Sequence, residues 1–144
     1  MIKTKAVLIQ ELSDLEEEFE YLESPMEKIE FIMDFAKESE VDESLIDEEK
    51  YLVRGCVSRA YLKIDIKNSE DSSISLNYFA DAMIIKGFFG LIKQLLDDSK
   101  AEDLLKNIEE LKKFSSNVGL ESFLSPNRSN ALSNIFNKIE SNAN

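Results

Sequence analysis

Leu8, Leu12, Leu15, Phe19 and Leu22 recur at spacings of four and three with acids between them, which predicts an amphipathic helix over 4–22. Ser24-Pro25-Met26-Glu27 then restarts the chain: serine at the cap, proline at the first helical position and glutamate at the third form a capping box. The helix it opens carries Met26, Ile29, Ile32, Met33, Phe35 and Ala36 and fades near Glu38. The period changes at Lys50. Tyr51 to Val53 is prone to extension, Arg54-Gly55-Cys56 interrupts it, and β-branched and aromatic residues resume from Val57 to Ile66. Turn-forming residues fill 67–72, and Ser73 to Phe79 reads as a second long strand, antiparallel to the first.

Asp81 stands where it would cap a helix from Ala82 to about Asp97. Apolar residues occupy nearly every side of that segment, so it is predicted to be a buried central helix. Gly87 and Gly90 lie inside it, each costing about 1 kcal/mol relative to alanine. Three apart, they share a face, and another element should pack closely there. Ser99 to Glu102 reads as a second capping box opening a short helix, and Ile108, Leu111 and Phe114 mark another, closed by a left-handed Gly119. Ser125-Pro126 caps a last helix that should bury Leu132, Ile135, Phe136 and Ile139, with a frayed tail at 141–144. Two N-terminal helices, a small antiparallel sheet and several C-terminal helices packed on it make an α+β fold, one domain over 1–144.

Composition removes most kinds of chemistry. The chain has 144 residues, 17 Lys+Arg against 29 Asp+Glu, and a net charge of −12. Such a field repels phosphate backbones and anionic lipid, so neither nucleic acid nor a membrane surface is an expected partner. There is no histidine, which eliminates the usual general base and the commonest metal ligand. A single cysteine excludes an internal disulfide and a multi-thiolate metal site. No glycine-rich phosphate loop occurs, and no cofactor is expected. The N-terminus shows neither signal nor transit character, and no apolar run approaches the ~20 residues of a membrane span, so a cytoplasmic protein with a reduced thiol is expected. Residues 38–49 hold seven acids and no base, either a solvated connector or a patch for a basic partner.

Cys56 is therefore the candidate for chemistry, against the alternative of a buried filler. Gly55 before it implies a tight turn that puts the thiol at a loop tip. Arg54 and Arg59 flank it, two of the three arginines in the chain, and nearby cations favour thiolate; the alternative is that both are ordinary surface residues. Without a general base, a second thiol or further soft ligands, hydrolysis, dithiol exchange and metal scaffolding are excluded. What survives is chemistry in which sulfur is the cargo or the sensor, including capture of a persulfide's terminal sulfur from another protein. Lys86 and Lys93 read as exposed helix lysines.

Three blocks, VRGCVSRAYLKI at 53–64, FADAMIIKGFFGLI at 79–92 and GLESFLSPNRSNALSNI at 119–135, give the chain a family likeness. It resembles the SufE-type cysteine desulfuration proteins, sulfur acceptors of iron–sulfur cluster assembly, and so a SufE/IscU-like fold. The resemblance implies that Cys56 accepts a persulfide sulfur and thereby stimulates a PLP-dependent, SufS-like cysteine desulfurase. It implies a SufBCD-like scaffold complex as the next acceptor, with the protein a sulfur-transfer accessory and not a stand-alone enzyme. It also implies that Asp81 and Arg128 lie near the cysteine loop, for which Arg54, Gly55 and Ser58 are the expected supporting residues. Val57 departs from the family's usual glutamine. Asp81 reads as a helix cap, a gate on the cysteine loop, or both; Arg128, in the first turn of the last helix, reads as the partner of Asp81 or of the sulfur anion. A monomer or weak dimer is expected, with the thiol in a shallow apolar pocket lined from the 82–97 helix. A thiol-independent acidic adaptor and a single-cysteine redox sensor are the competing functions.

Overall fold

Thr4 accepts a hydrogen bond from the Val7 amide at 3.3 Å and starts α1 (Lys5–Glu20), whose buried stripe is Leu8, Leu12, Leu15 and Phe19. Ser24 accepts from the Glu27 amide at 3.2 Å and starts α2 (Pro25–Asp34); the Glu27 carboxylate reaches back to the Glu23 amide, one residue beyond the expected partner. The computed structural model describes residues 2–67 and 72–142, so the turn expected at 67–72 lies largely outside the described residues. A 3₁₀ turn at Phe35–Lys37 prolongs α2. The acidic run is not a free connector: Asp42 donates its amide to Tyr78 O at 2.7 Å, its carboxylate caps a 3₁₀ turn (Glu43–Asp47), and Leu45 is buried.

β1 (Ala60–Ile66) and β2 (Ile74–Ala80) pair antiparallel in a register that sets Ala60 against Ala80, Leu62 against Tyr78 and Ile64 against Leu76. Ala60, Leu62, Ile74, Leu76, Tyr78 and Ala80 are buried on the inner face. The first strand starts three residues later than its composition predicts, because 57–59 belong to the loop that precedes it. α3 (Met83–Leu96) packs on β2 and buries ten of its residues, as its all-round apolar pattern requires. Tyr78 stacks on Phe89 with centroids 5.0 Å apart, and its hydroxyl meets Ser39 Oγ at 2.7 Å. Phe19 meets both Phe31 and Phe114 edge-on, joining α1, α2 and the later helices.

Several local expectations are corrected. Asp81 does not cap α3: Ala82 occupies the cap position, with no side-chain bond, because the Asp81 carboxylate is used elsewhere. Ser99 does not open a helix either; its buried hydroxyl donates to Leu96 O at 2.6 Å, and a 3₁₀ turn (Ala101–Asp103) leads into one continuous helix, α4 (Leu104–Asn117). Lys93 is no exposed lysine, since its ammonium donates to Leu76 O at 2.6 Å and pairs with Asp97 at 2.8 Å, satisfying β2 backbone from α3. Left-handed Gly119 ends α4 as expected. α5 (Leu120–Phe123) then leads to α6 (Pro126–Ser141), capped by Ser125, with Leu132, Ile135, Phe136 and Ile139 buried as predicted. Among the described residues, no helix is long and apolar enough to cross a membrane.

The two interior glycines of α3 have the expected cause. A Cβ on Gly87 would collide with the carbonyl oxygen of Ile32, and one on Gly90 with that of Phe35, so the end of α2 and its 3₁₀ turn lie directly on the glycine face. Helix propensity alone favours Gly90→Ala by about 1 kcal/mol, but the collision is with backbone that cannot rotate aside. Gly90→Ala should therefore lower stability by about 1–3 kcal/mol, as overpacked cores do. Urea denaturation measures this, and a stabilised variant would show that α2 does not pack here.

Candidate functional site

The chain folds back on itself around its single cysteine. A 3₁₀ turn (Glu49–Tyr51) delivers Leu52, which pairs antiparallel with Tyr61, and the Val53 amide donates to Ala60 O at 2.8 Å. That rung closes the loop 54–59 at the end of the sheet. Gly55 has φ +84°, a left-handed conformation that glycine adopts without steric penalty. It is also pressed against α6: a Cβ there would lie 2.6 Å from Asn134 Nδ2. The two residues that follow this turn differ sharply in burial. Cys56 packs, half-buried, against the apolar core, while Val57 is 84% exposed. Ser58 is half-buried in the same loop.

The far side of the loop is held by Asp81. Its carboxylate accepts from the Arg59 amide at 3.1 Å and from Arg59 Nε at 3.2 Å, and its own amide donates to Arg59 O at 3.3 Å. The Arg59 guanidinium lies over the Phe79 ring, 5.3 Å from its centroid. Asp81 is thus a clamp on the loop's exit instead of a helix cap. Because Arg59 engages it, the salt bridge considered between Asp81 and Arg128 is replaced by Asp81–Arg59. Arg54 is paired with Glu49 at 2.9 Å and points into solvent. Arg128 is half-buried in the first turn of α6, its amide donating to Ser125 Oγ at 3.4 Å.

This geometry corrects the electrostatic expectation for the thiol. Both flanking arginines are spent on carboxylates, and burial pushes the Cys56 thiol above its ordinary value with no opposing contribution from a cation. The resting protein therefore holds a protonated thiol at neutral pH. Its shelter is the margin of the core. A cleft of about 510 Å³ lies elsewhere, between α4, α5 and α6, and no loop residue borders it. Among the described residues, no group of three or more His, Cys, Asp or Glu side chains is arranged to hold a metal ion.

The SufE family model, described as an Fe-S metabolism associated domain, matches residues 13–143. The chain belongs to the SufE family. An uncharacterized SufE-like protein of Synechocystis sp. is 28% identical over 145 residues, covering 99% of this chain and 86% of that protein. As a SufE-family chain it has a role in iron–sulfur metabolism, and the loop carrying its only cysteine is its candidate site. Gly55, Cys56, Ser58, Arg59 and Asp81 come together in the structure; Arg54 turns away toward Glu49. Sequence reasoning missed two participants, Glu49 as the partner of Arg54 and Asn134 as the seat of Gly55. Asn134 falls inside the third SufE-like block, but nothing in the linear pattern couples it to a glycine so far upstream.

The raised thiol has a measurable consequence for folding. The folded chain holds the Cys56 proton more tightly than the unfolded one, so this contribution to stability is complete below the unfolded thiol's pKa and disappears as pH rises through the folded value. The stability difference between the native chain and Cys56→Ser should stay constant up to about pH 8 and then move against the native chain as thiols ionise. Urea titrations from neutral to alkaline pH measure it. A difference moving in favour of the native chain would mean that a cation stabilises the thiolate.

Proposed function

We propose that Cys56 accepts one sulfur atom from the persulfide of a PLP-dependent cysteine desulfurase and passes it to an iron–sulfur assembly scaffold. The observation that carries this reading is the placement of the only thiol, in a SufE-family chain, on a sharply turned loop at the core margin. In the transfer, the Cys56 thiolate attacks the donor's terminal sulfur and a new S–S bond forms. The donor's own S–S bond breaks, its cysteine leaves as thiolate, and the terminal sulfur now belongs to Cys56. No net oxidation occurs, and the proton lost by Cys56 is matched by the one that the departing thiolate takes up.

Each part of the loop has a task in this reading. The apolar margin shields a bound persulfide from reductants and oxidants. Because the resting thiol is protonated, it reacts poorly with free electrophiles, and the docked donor supplies the base that ionises it. Absence of a second cysteine prevents internal discharge, so the sulfur waits for an acceptor protein. Asp81 holds the loop closed through Arg59. Arg128, whose charge opposes the dipole at its end of α6, serves the sulfur anion during exchange. Val57, exposed beside the thiol, gives the donor an apolar contact where the family's usual glutamine would give a polar one.

Incubation with a PLP-dependent cysteine desulfurase and cysteine, without reductant, should add the mass of one sulfur atom to the peptide containing Cys56. Cys56→Ser should gain nothing and should fail to stimulate the desulfurase. Native chain that stays unmodified while the desulfurase turns over would refute the assignment.

A further inference from the structure

One face of α6 supports the cysteine loop at two points. Lys138 Nζ donates to Lys50 O at 2.6 Å, in the turn that leads into the loop. The Asn134 side chain fills the space where a Gly55 Cβ would stand, Nδ2 at 2.6 Å and Cγ at 3.3 Å from that point. Four residues apart on a helix, Asn134 and Lys138 lie one above the other. The rest of α6 is anchored by buried Leu132, Ile135, Phe136 and Ile139, so the supporting face cannot retreat without opening the core. Gly55 sets the left-handed turn immediately before Cys56, and whatever fixes Gly55 fixes how deeply the thiol sits.

The chemistry of Lys138 is unusual in this chain. With a net charge of −12, carboxylates are abundant, yet among the described residues the ammonium is spent on a backbone carbonyl and on no carboxylate. A lysine used this way holds a segment in place instead of balancing charge. We propose that Asn134 and Lys138 are positioning residues for Cys56, holding the cysteine loop against α6 at a fixed depth. The proposal rests on Cys56 as the reacting group. Of the charged side chains that flank the loop, Arg54 is paired with Glu49, Arg59 with Asp81 and Lys50 with Glu48, which leaves depth as the variable for the resting thiol.

The test is the pH profile of Cys56 alkylation by iodoacetamide, which needs no partner protein. Asn134→Ala and Lys138→Met, which leaves Lys50 O without a side-chain donor, should let water reach the thiol, lowering its ionisation midpoint toward the ordinary value of about 8.5. At pH 7 each unit of that fall should speed alkylation about threefold, because the tenfold gain in thiolate is partly offset by lower nucleophilicity. Lys138→Arg keeps a donor for Lys50 O and should restore the native profile. Asn134→Asp sets a carboxylate in front of Gly55 and should move the midpoint above the native one. Native rates and midpoints in all four variants, or identical profiles for Lys138→Met and Lys138→Arg, would overturn the proposal. Should Asn134→Ala fail to fold, Asn134→Asp and the two Lys138 variants decide. Sulfur loading of the native chain by a desulfurase is measured alongside: absent loading overturns the acceptor reading alone, whereas normal loading with unchanged alkylation overturns the positioning role alone.

Discussion

The hydrogen bond from Val53 to Ala60, with the Leu52–Tyr61 pair beside it, is the constraint on which the site depends. It ends the regular pairing of the sheet and forces 54–59 into a loop too short to wander. Everything that places the thiol is attached to this closure: a left-handed Gly55 at the entry, Asp81 bound to Arg59 at the exit, and α6 beneath. The buried α3 makes the closure rigid in turn, because it backs β2 and is itself seated on α2 through two glycines. A half-buried thiol on such a frame is protected without being sealed, as the proposed sulfur acceptor would need to be.

The meaning of charge around the loop follows from the same frame. In an acidic chain an arginine rarely stands alone, and both arginines beside Cys56 find carboxylates before they can influence the thiol. Burial then dominates, and the thiol is held in its protonated form. The thiol of the free chain is therefore in its less nucleophilic, protonated form.

The fold was largely legible in the sequence because its signals are local. Helix spacing, the Ser24 and Ser125 caps and the Gly119 stop are each written within a few residues, and the Gly87/Gly90 pair announced a close neighbour without naming it. Two of the failures share one cause. Asp81 and Lys93 each have a good local reading, as cap and surface lysine, and each was claimed by a partner distant in sequence: the Arg59 amide and guanidinium, and the Leu76 carbonyl. Ser99 differs, since its hydroxyl turns back to Leu96 O, only three residues earlier, at the end of α3. The cysteine was found by elimination and by family likeness. Its seat on Asn134 and the Arg59–Asp81 clamp were not, since these contacts join residues far apart in the chain, and Glu49, five residues before Arg54, is one of several neighbouring acids that no pattern singles out.

The central claim is that position 56 is where a single sulfur atom lands. The most direct measurement is the amount of alanine released by a PLP-dependent cysteine desulfurase in one round with excess cysteine and no reductant. With the native chain present, alanine should rise by one further equivalent per Cys56 and then stop, since the only thiol is filled. Alanine release that ignores the concentration of this chain, or that rises equally with Cys56→Ser, would contradict the account.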